Sequence, residues 1–281
     1  MPSRTTQRDA AASAGGDGVS NFVSRVLVTL VGVPVVLYLL YLGGWWLLGL
    51  AVVAALVALH ELYAMARSLR PLVLAGYAGA VAALVGAHLG GPVWMLGGFM
   101  LTLLLAFLLY GIAETRQRAT VTMSVTVLGV AWIALGLAHL LLLRDVPEHG
   151  RLAVFTVLLA VFADDTAAYL VGRLVGRHKM APALSPGKTW EGFVAGTAAA
   201  IAVAFFALYD QDFLNIPESI ALGAAVALAG AAGDLFESAL KRDLQVKDSG
   251  RLLAGHGGML DRTDSLLFAS VAAFYVVTAL Q

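Results

Sequence analysis

The sequence contains no cysteine. That absence excludes disulfides, thiolate nucleophiles and cysteine-ligated metals. Charge is scarce as well. Only 13% of the 281 residues are Asp, Glu, Lys or Arg, against about 25% in a typical soluble domain. The 18 basic residues balance the 18 acidic ones, so bulk charge points to no nucleic-acid partner. The first residues lack an apolar core followed by a cleavage site, so no removable signal peptide is expected. Residues 1–20 are polar, rich in Ala, Gly and Ser, and read as a disordered cytoplasmic tail.

What the chain has in abundance is apolar sequence. Hydrophobic residues make up 60% of it and the mean hydropathy is +0.85. The expectation is an all-α, polytopic integral membrane protein. A spanning helix needs about 20 mostly apolar residues. Nine candidates satisfy that, near 23–42, 45–64, 71–89, 93–111, 121–143, 152–172, 190–208, 219–240 and 263–280. Gly43-Gly44 and Gly90-Gly91-Pro92 mark tight turns between neighbours. The eighth candidate turns polar at Asp234 and is expected to run on past the hydrocarbon as one long helix. With a cytoplasmic N-terminus and nine alternating helices, 16 of the 18 basic residues face the cytoplasm, and only Arg144 and Arg151 lie outside. The positive-inside rule predicts that bias. The polar loops 173–189 and 241–262 then face the cytoplasm. Residues 21–150 read as scaffold helices with dimer contacts, and 151–281 as the helices that carry the site. The expected location is a bacterial cytoplasmic (inner) membrane.

Polar residues cluster in the second half. Asp164-Asp165-Thr166-Ala-Ala-Tyr169 lies late in the sixth candidate helix. A carboxylate in a spanning segment is costly and signals a functional site by default, although a helix end reaching the interface also accounts for it. Adjacent helical residues point roughly 100° apart, so one of the two aspartates is expected to face the site. Ser185-Pro-Gly-Lys188-Thr-Trp190-Glu191-Gly192 superficially resembles a phosphate-binding loop, but it lacks the first Gly and no strand precedes it. Its physical content is a Gly-containing loop that enters a helix N-terminus, with Lys188 adding positive charge. An ordinary positive-inside loop explains it equally well.

The third cluster runs from Gly233 to Asp264. Asp234, Glu237, Ser238 and Lys241 follow i, i+3, i+4, i+7 spacing and share one helix face. Carboxylates at i, i+3 suit Mg²⁺, a hard cation that seeks oxygen. Asp261 and Asp264 repeat the spacing at the start of the ninth candidate helix. Gly255, Gly257 and Gly258 permit close approach to a ligand, and His256 among them is a donor for phosphate. His60-Glu61, at the cytoplasmic end of the second helix, either supports the site or caps the membrane boundary.

These residues resemble a family. Ser238-x-Leu-Lys241-Arg242-x4-Lys247-Asp248-x-Gly250-x2-Leu253-x2-His256-Gly257-Gly258-Met259-x-Asp261-Arg262-x-Asp264 resembles the signature of the CDP-diacylglycerol synthases, or phosphatidate cytidylyltransferases. The resemblance is strong over 160–265, while the first 150 residues share mainly hydrophobicity and helix number. Ala254 stands where the family usually has Pro, and Asp164 where it commonly has a small residue. The resemblance implies that CTP and phosphatidate give CDP-diacylglycerol and pyrophosphate, with Mg²⁺ alone or beside a second cation. It implies that Asp234 and Asp261 bind the catalytic metal, with Asp165 and Glu237 as further ligands or supports. Lys241 and His256 join Asp234 and Asp261 as catalytic candidates. Ser185, Lys188, Arg242, Lys247, Asp248, Gly257, Gly258 and Arg262 are candidates for substrate contacts. A homodimer is implied as well. Two alternatives stay open: a CTP-dependent polyprenol or dolichol kinase, which releases CDP, and a cation-coupled transporter. The transporter is disfavoured because no internal repeat is visible and the polar residues sit in one half.

Overall fold

The computed structural model describes residues 30–112, 118–250 and 258–280. The tail expected over 1–20 lies outside them, as do His256 and Gly257. Among the described residues, 82% are helical. Among these residues seven helices are long and apolar enough to cross a membrane by length and composition, and a shorter apolar helix, α1 (Leu30–Leu42), precedes them.

The chain turns from α1 into α2 (Gly44–Met65) at Gly43, whose φ of 69° and ψ of −157° fall in a region open essentially to glycine alone. The last carbonyls of a helix have no partner inside it. Arg144 supplies donors here, from Nε to the Leu40 oxygen at 3.1 Å and from Nη2 to the Tyr41 oxygen at 2.9 Å.

Helix α3 (Val73–Ile112) is 40 residues long, but Gly90 and Gly91 leave helical geometry, Gly91 with φ 68° and ψ −154°. The chain reverses there. A Cβ on Gly86 would strike the backbone of Trp94, one on Gly98 the backbone of Ala82 and Ala83, and one on Gly79 the side chain of Thr102. Pairs that step backward along one limb as they step forward along the other define an antiparallel hairpin. Glycine at each crossing lets the limbs approach closely, the usual means of packing where lipid removes the hydrophobic drive.

Helix α4 (Ala119–Gly129) passes through a π-turn, Val130–Ala134, into α5 (Leu135–Arg144), as one span from Ala119 to Arg144. The π-turn buries Val130, Trp132, Ile133 and Ala134. It sets Trp132 edge-on to Phe236 with centroids 4.9 Å apart, beside Glu237. Helix α6 is Gly150–Leu174. It is followed by a two-stranded antiparallel hairpin, β1 (Lys179–Ala181) and β2 (Ser185–Thr189), with Lys179 opposite Thr189 and Ala181 opposite Ser185. An all-α expectation has no place for this hairpin. The Ser185–Thr189 segment, read as a loop, is a strand that runs directly into α7 (Trp190–Leu208).

Helix α8 (Ile216–Asp243) is one uninterrupted helix of 28 residues, started by an Asn215–Glu218 capping box that satisfies two orphan backbone donors. Helix α9 (Leu260–Leu280) closes the described chain. The core runs along the bundle through Leu59, Leu84, Ile133, Leu143, Leu222 and Leu267. Trp94, Phe107 and Phe206 are more than 60% exposed, a distribution suited to an apolar solvent. One end of the bundle gathers Trp45 against His88 and His149 against Phe213. The other end carries the β-hairpin and the carboxylates.

Candidate active site

A cavity of about 570 Å³ opens where α6, the β-hairpin, α7 and α8 meet. Asp164, Asp165, Tyr169 and Arg173 line it from α6, Lys179 and Lys188 from the hairpin, Thr189 and Phe193 around the start of α7, and Asp234 from α8. Several local causes bring these elements together. Thr189 caps α7 by accepting from Gly192 N at 3.2 Å. Its hydroxyl lies against Gly172 and Gly176, where a Cβ would find it at 3.0 and 2.7 Å. Small residues thus seat the end of α6 against the start of α7. Arg242 donates from Nε to the Leu184 oxygen at 3.2 Å and ties the hairpin to α8. His178 Nδ1 lies 2.6 Å from Glu191 Oε1 and anchors the entry to the hairpin.

Two charge clusters follow the polar face of α8. In the first, Lys188 Nζ pairs with Asp234 Oδ2 at 2.8 Å. In the second, one turn further on, Lys241 Nζ lies 2.8 Å from Glu237 Oε2 and 2.9 Å from Asp261 Oδ1. Asp261 also accepts from Ser249 N at 3.2 Å and Gly258 N at 3.0 Å. Glu237 is 2% exposed and its Oε1 is buried without a partner.

The structure separates residues that the sequence grouped. Asp165 and Asp234 share the cavity, but Glu237 and Asp261 do not line it and instead hold an ammonium group between them. Four carboxylates around one point is therefore not the arrangement present, because Lys241 stands where a cation was expected. Among the described residues no three His, Asp or Glu side chains converge as a metal cage. Mg²⁺ needs no such cage: it commonly takes one or two carboxylates and completes its shell with substrate phosphates and water. Asp165 of α6 and Asp234 of α8, which both line the cavity, fit that requirement.

Among the other candidates, Ser185 lines the cavity, and Arg242 reaches the hairpin. Lys247 and Asp248 are exposed between α8 and Ser249, and Arg262 is exposed in the first turn of α9. Gly258 N serves Asp261. Asp164, set aside in the sequence as an oddity, is 7% exposed and wedged between Gly196 of α7 and Gly230 of α8, with both aspartates reaching the cavity. Arg173 and Lys179 also line the cavity; in the sequence they belong to the basic stretch 173–179, which reads equally well as an ordinary positive-inside loop. Glu61 is the residue for which the sequence leaves support of the site and a cap at the membrane boundary equally open. It is buried, and accepts from Met259 N at 3.0 Å and Leu260 N at 2.9 Å. Its only sequence signal is a carboxylate in an apolar helix.

Residues 23–280 match the model of the cytidylyltransferase family. A phosphatidate cytidylyltransferase from Mycobacterium bovis is 33% identical over 307 aligned positions, covering 100% of this chain and 95% of the relative. One from Staphylococcus haemolyticus is 33% identical over 249 positions, covering 87% of this chain and 94% of the relative. One from Staphylococcus aureus is 34% identical over 250 positions, with the same two coverages of 87% and 94%. The match takes in the hairpin, both charge clusters and the helices that carry them, and the chain belongs to the cytidylyltransferase family.

Proposed function

We propose that the protein transfers the cytidylyl group of CTP to phosphatidate, giving CDP-diacylglycerol and pyrophosphate. The observation that carries this is the agreement of relatives named for phosphatidate cytidylyl transfer along nearly the full chain. The geometry supports it. The cavity volume falls within the range of about 300–1,000 Å³ common for small-ligand sites. Its wall offers cations for phosphates and carboxylates for a metal. Tyr169, Leu170, Leu174 and Trp190 around it are exposed, which suits lateral entry of a lipid.

In this reading a phosphatidate phosphate oxygen bonds to the α-phosphorus of CTP as the bond to the bridging oxygen breaks. Pyrophosphate leaves with that oxygen. No covalent intermediate with the protein is required, so its work is positioning and charge stabilisation. Lys188 and Arg173 face the triphosphate from the cavity wall. Lys241, held by Glu237 and Asp261, fixes an ammonium further along the same face of α8, outside the cavity lining. Mg²⁺ held by Asp165 and Asp234 would screen the repulsion between the two phosphate groups. His256 and Gly257 remain substrate candidates from outside the described residues.

The same proposal places nine spans in a bacterial cytoplasmic membrane, with the N-terminus and the cavity on the cytoplasmic side and two copies associating. The α3 hairpin supports the count. The charges support the sidedness, since Arg144 and Arg151 stand at one end and the other described Lys and Arg residues toward the end bearing the hairpin. The test is purified protein in detergent with α-labelled CTP, Mg²⁺ and phosphatidate. Labelled lipid with release of pyrophosphate, abolished by chelation, is the expected result. Labelled CDP formed with a lipid alcohol would replace this reading with the kinase.

A further inference from the structure

In α2 the stretch Leu50–Leu59 is wholly apolar, and two polar residues, His60 and Glu61, follow it. They behave differently. His60 is exposed, its Nδ1 3.1 Å from Tyr77 Oη. Glu61 is 2% exposed, and its donors come from the far end of the chain. Oε1 accepts from Met259 N at 3.0 Å, and Oε2 from Leu260 N at 2.9 Å and Ser249 Oγ at 3.3 Å. The first amides of a helix lack partners within it, so Glu61 acts as a cap for α9 delivered by another helix.

The same contacts reach Asp261. Ser249 gives its hydroxyl to Glu61 and its backbone N–H to Asp261. Gly258 gives its N–H to Asp261, and a Cβ there would strike Ser249 Oγ and come within 2.6 Å of Glu61 Oε2. A Cβ on Gly250 would lie 2.6 Å from Glu61 Oε1. Two carboxylates thus grip the same two stretches of backbone from opposite sides, and Asp261 in turn holds Lys241 at 2.9 Å.

We infer that Glu61 is a positioning residue for the transfer reaction: it does not touch substrate but fixes the backbone that aims Asp261 and Lys241. This rests on the cytidylyl transfer proposed above. Three donors converge on two oxygens, so an amide cannot replace the carboxylate. Gln supplies one acceptor and turns an N–H toward a backbone N–H.

The test compares Glu61→Gln with His60→Ala in the full-length protein, by kinetics, thermal melting and hydrogen–deuterium exchange. For Glu61→Gln the expected kcat is lower by on the order of 10²-fold, the loss that misplacement by about 1 Å produces. KM for phosphatidate should stay within about twofold, since uniform binding is untouched. Exchange should rise in peptides spanning 258–262 and stay at the wild-type level in α7. His60→Ala should match wild type in all three. Wild-type kcat and exchange in Glu61→Gln would overturn the inference. So would exchange raised through every helix with a collapsed melt, which marks a general structural role. A wild-type protein that turns over no CTP would overturn the reaction itself, and local exchange at 258–262 would still report the grip of Glu61, so the two failures are distinguishable.

Discussion

Asp234 and Lys188 neutralise one another across 2.8 Å on a cavity wall. In the proposed reaction the carboxylate serves a cation and the ammonium serves phosphate, so the pair exchanges partners when a nucleotide arrives. Replacing Asp234 by Asn keeps the shape and removes the charge. The expected outcome is a melting temperature within a few degrees of wild type and a kcat lowered by on the order of 10²-fold or more, the scale of losing one preorganised electrostatic contact. Steady-state assay and a detergent melt would check both, and near-normal turnover would remove Asp234 from the site. The i, i+3, i+7 spacing on α8 foretells that Glu237 and Lys241 share a face, because helical geometry alone decides it. It cannot foretell that Lys241 lies between Glu237 and Asp261, because that contact depends on where α9 sits. Glu61 was further out of reach, with donors 188 to 199 positions away in sequence.

At the scale of elements, local chemistry and long-range packing divide the legible from the illegible. Gly90-Gly91-Pro92 is readable as a break because two glycines and a proline cannot continue a helix without cost. The crossings at Gly79, Gly86 and Gly98 are not readable, since glycine in an apolar run has no single meaning. Gly91 offers a clean measurement. Nothing lies within 4 Å of a Cβ built there, so Gly91→Ala perturbs backbone conformation alone. The expected destabilisation is about 1–3 kcal/mol, visible as a lower melting temperature with kcat retained, and an unchanged melt would show that the turn relaxes freely. The β-hairpin left no trace in the sequence pattern. Its strands are three and five residues long and are held in place by Arg242 and by the Thr189 cap rather than by strand propensity.

For the whole molecule, hydropathy made the fold class plain, because lipid demands long apolar helices. It did not supply the cavity, which arises from four elements meeting. The missing cysteine is useful at this scale. In Pro147→Cys and Arg177→Cys the new thiol is the only one in the chain. A membrane-impermeant maleimide added to intact cells should label the first and spare the second, and the reverse pattern would invert the proposed orientation.

The grip of Glu61 on α9 also carries a consequence for biosynthesis. The carboxylate enters the membrane with the second described helix, while its nearest donor in sequence is 188 residues later. At about 5–20 residues per second, translation leaves it waiting roughly 10–40 s. Throughout that interval the ribosome feeds out helices that can insert and pack, yet Glu61 has no α9 backbone to close upon. The enzyme is therefore assembled from its walls inward, and a nascent chain halted before α9 holds its apolar helices without the Glu61 and Asp261 contacts that join them to α9.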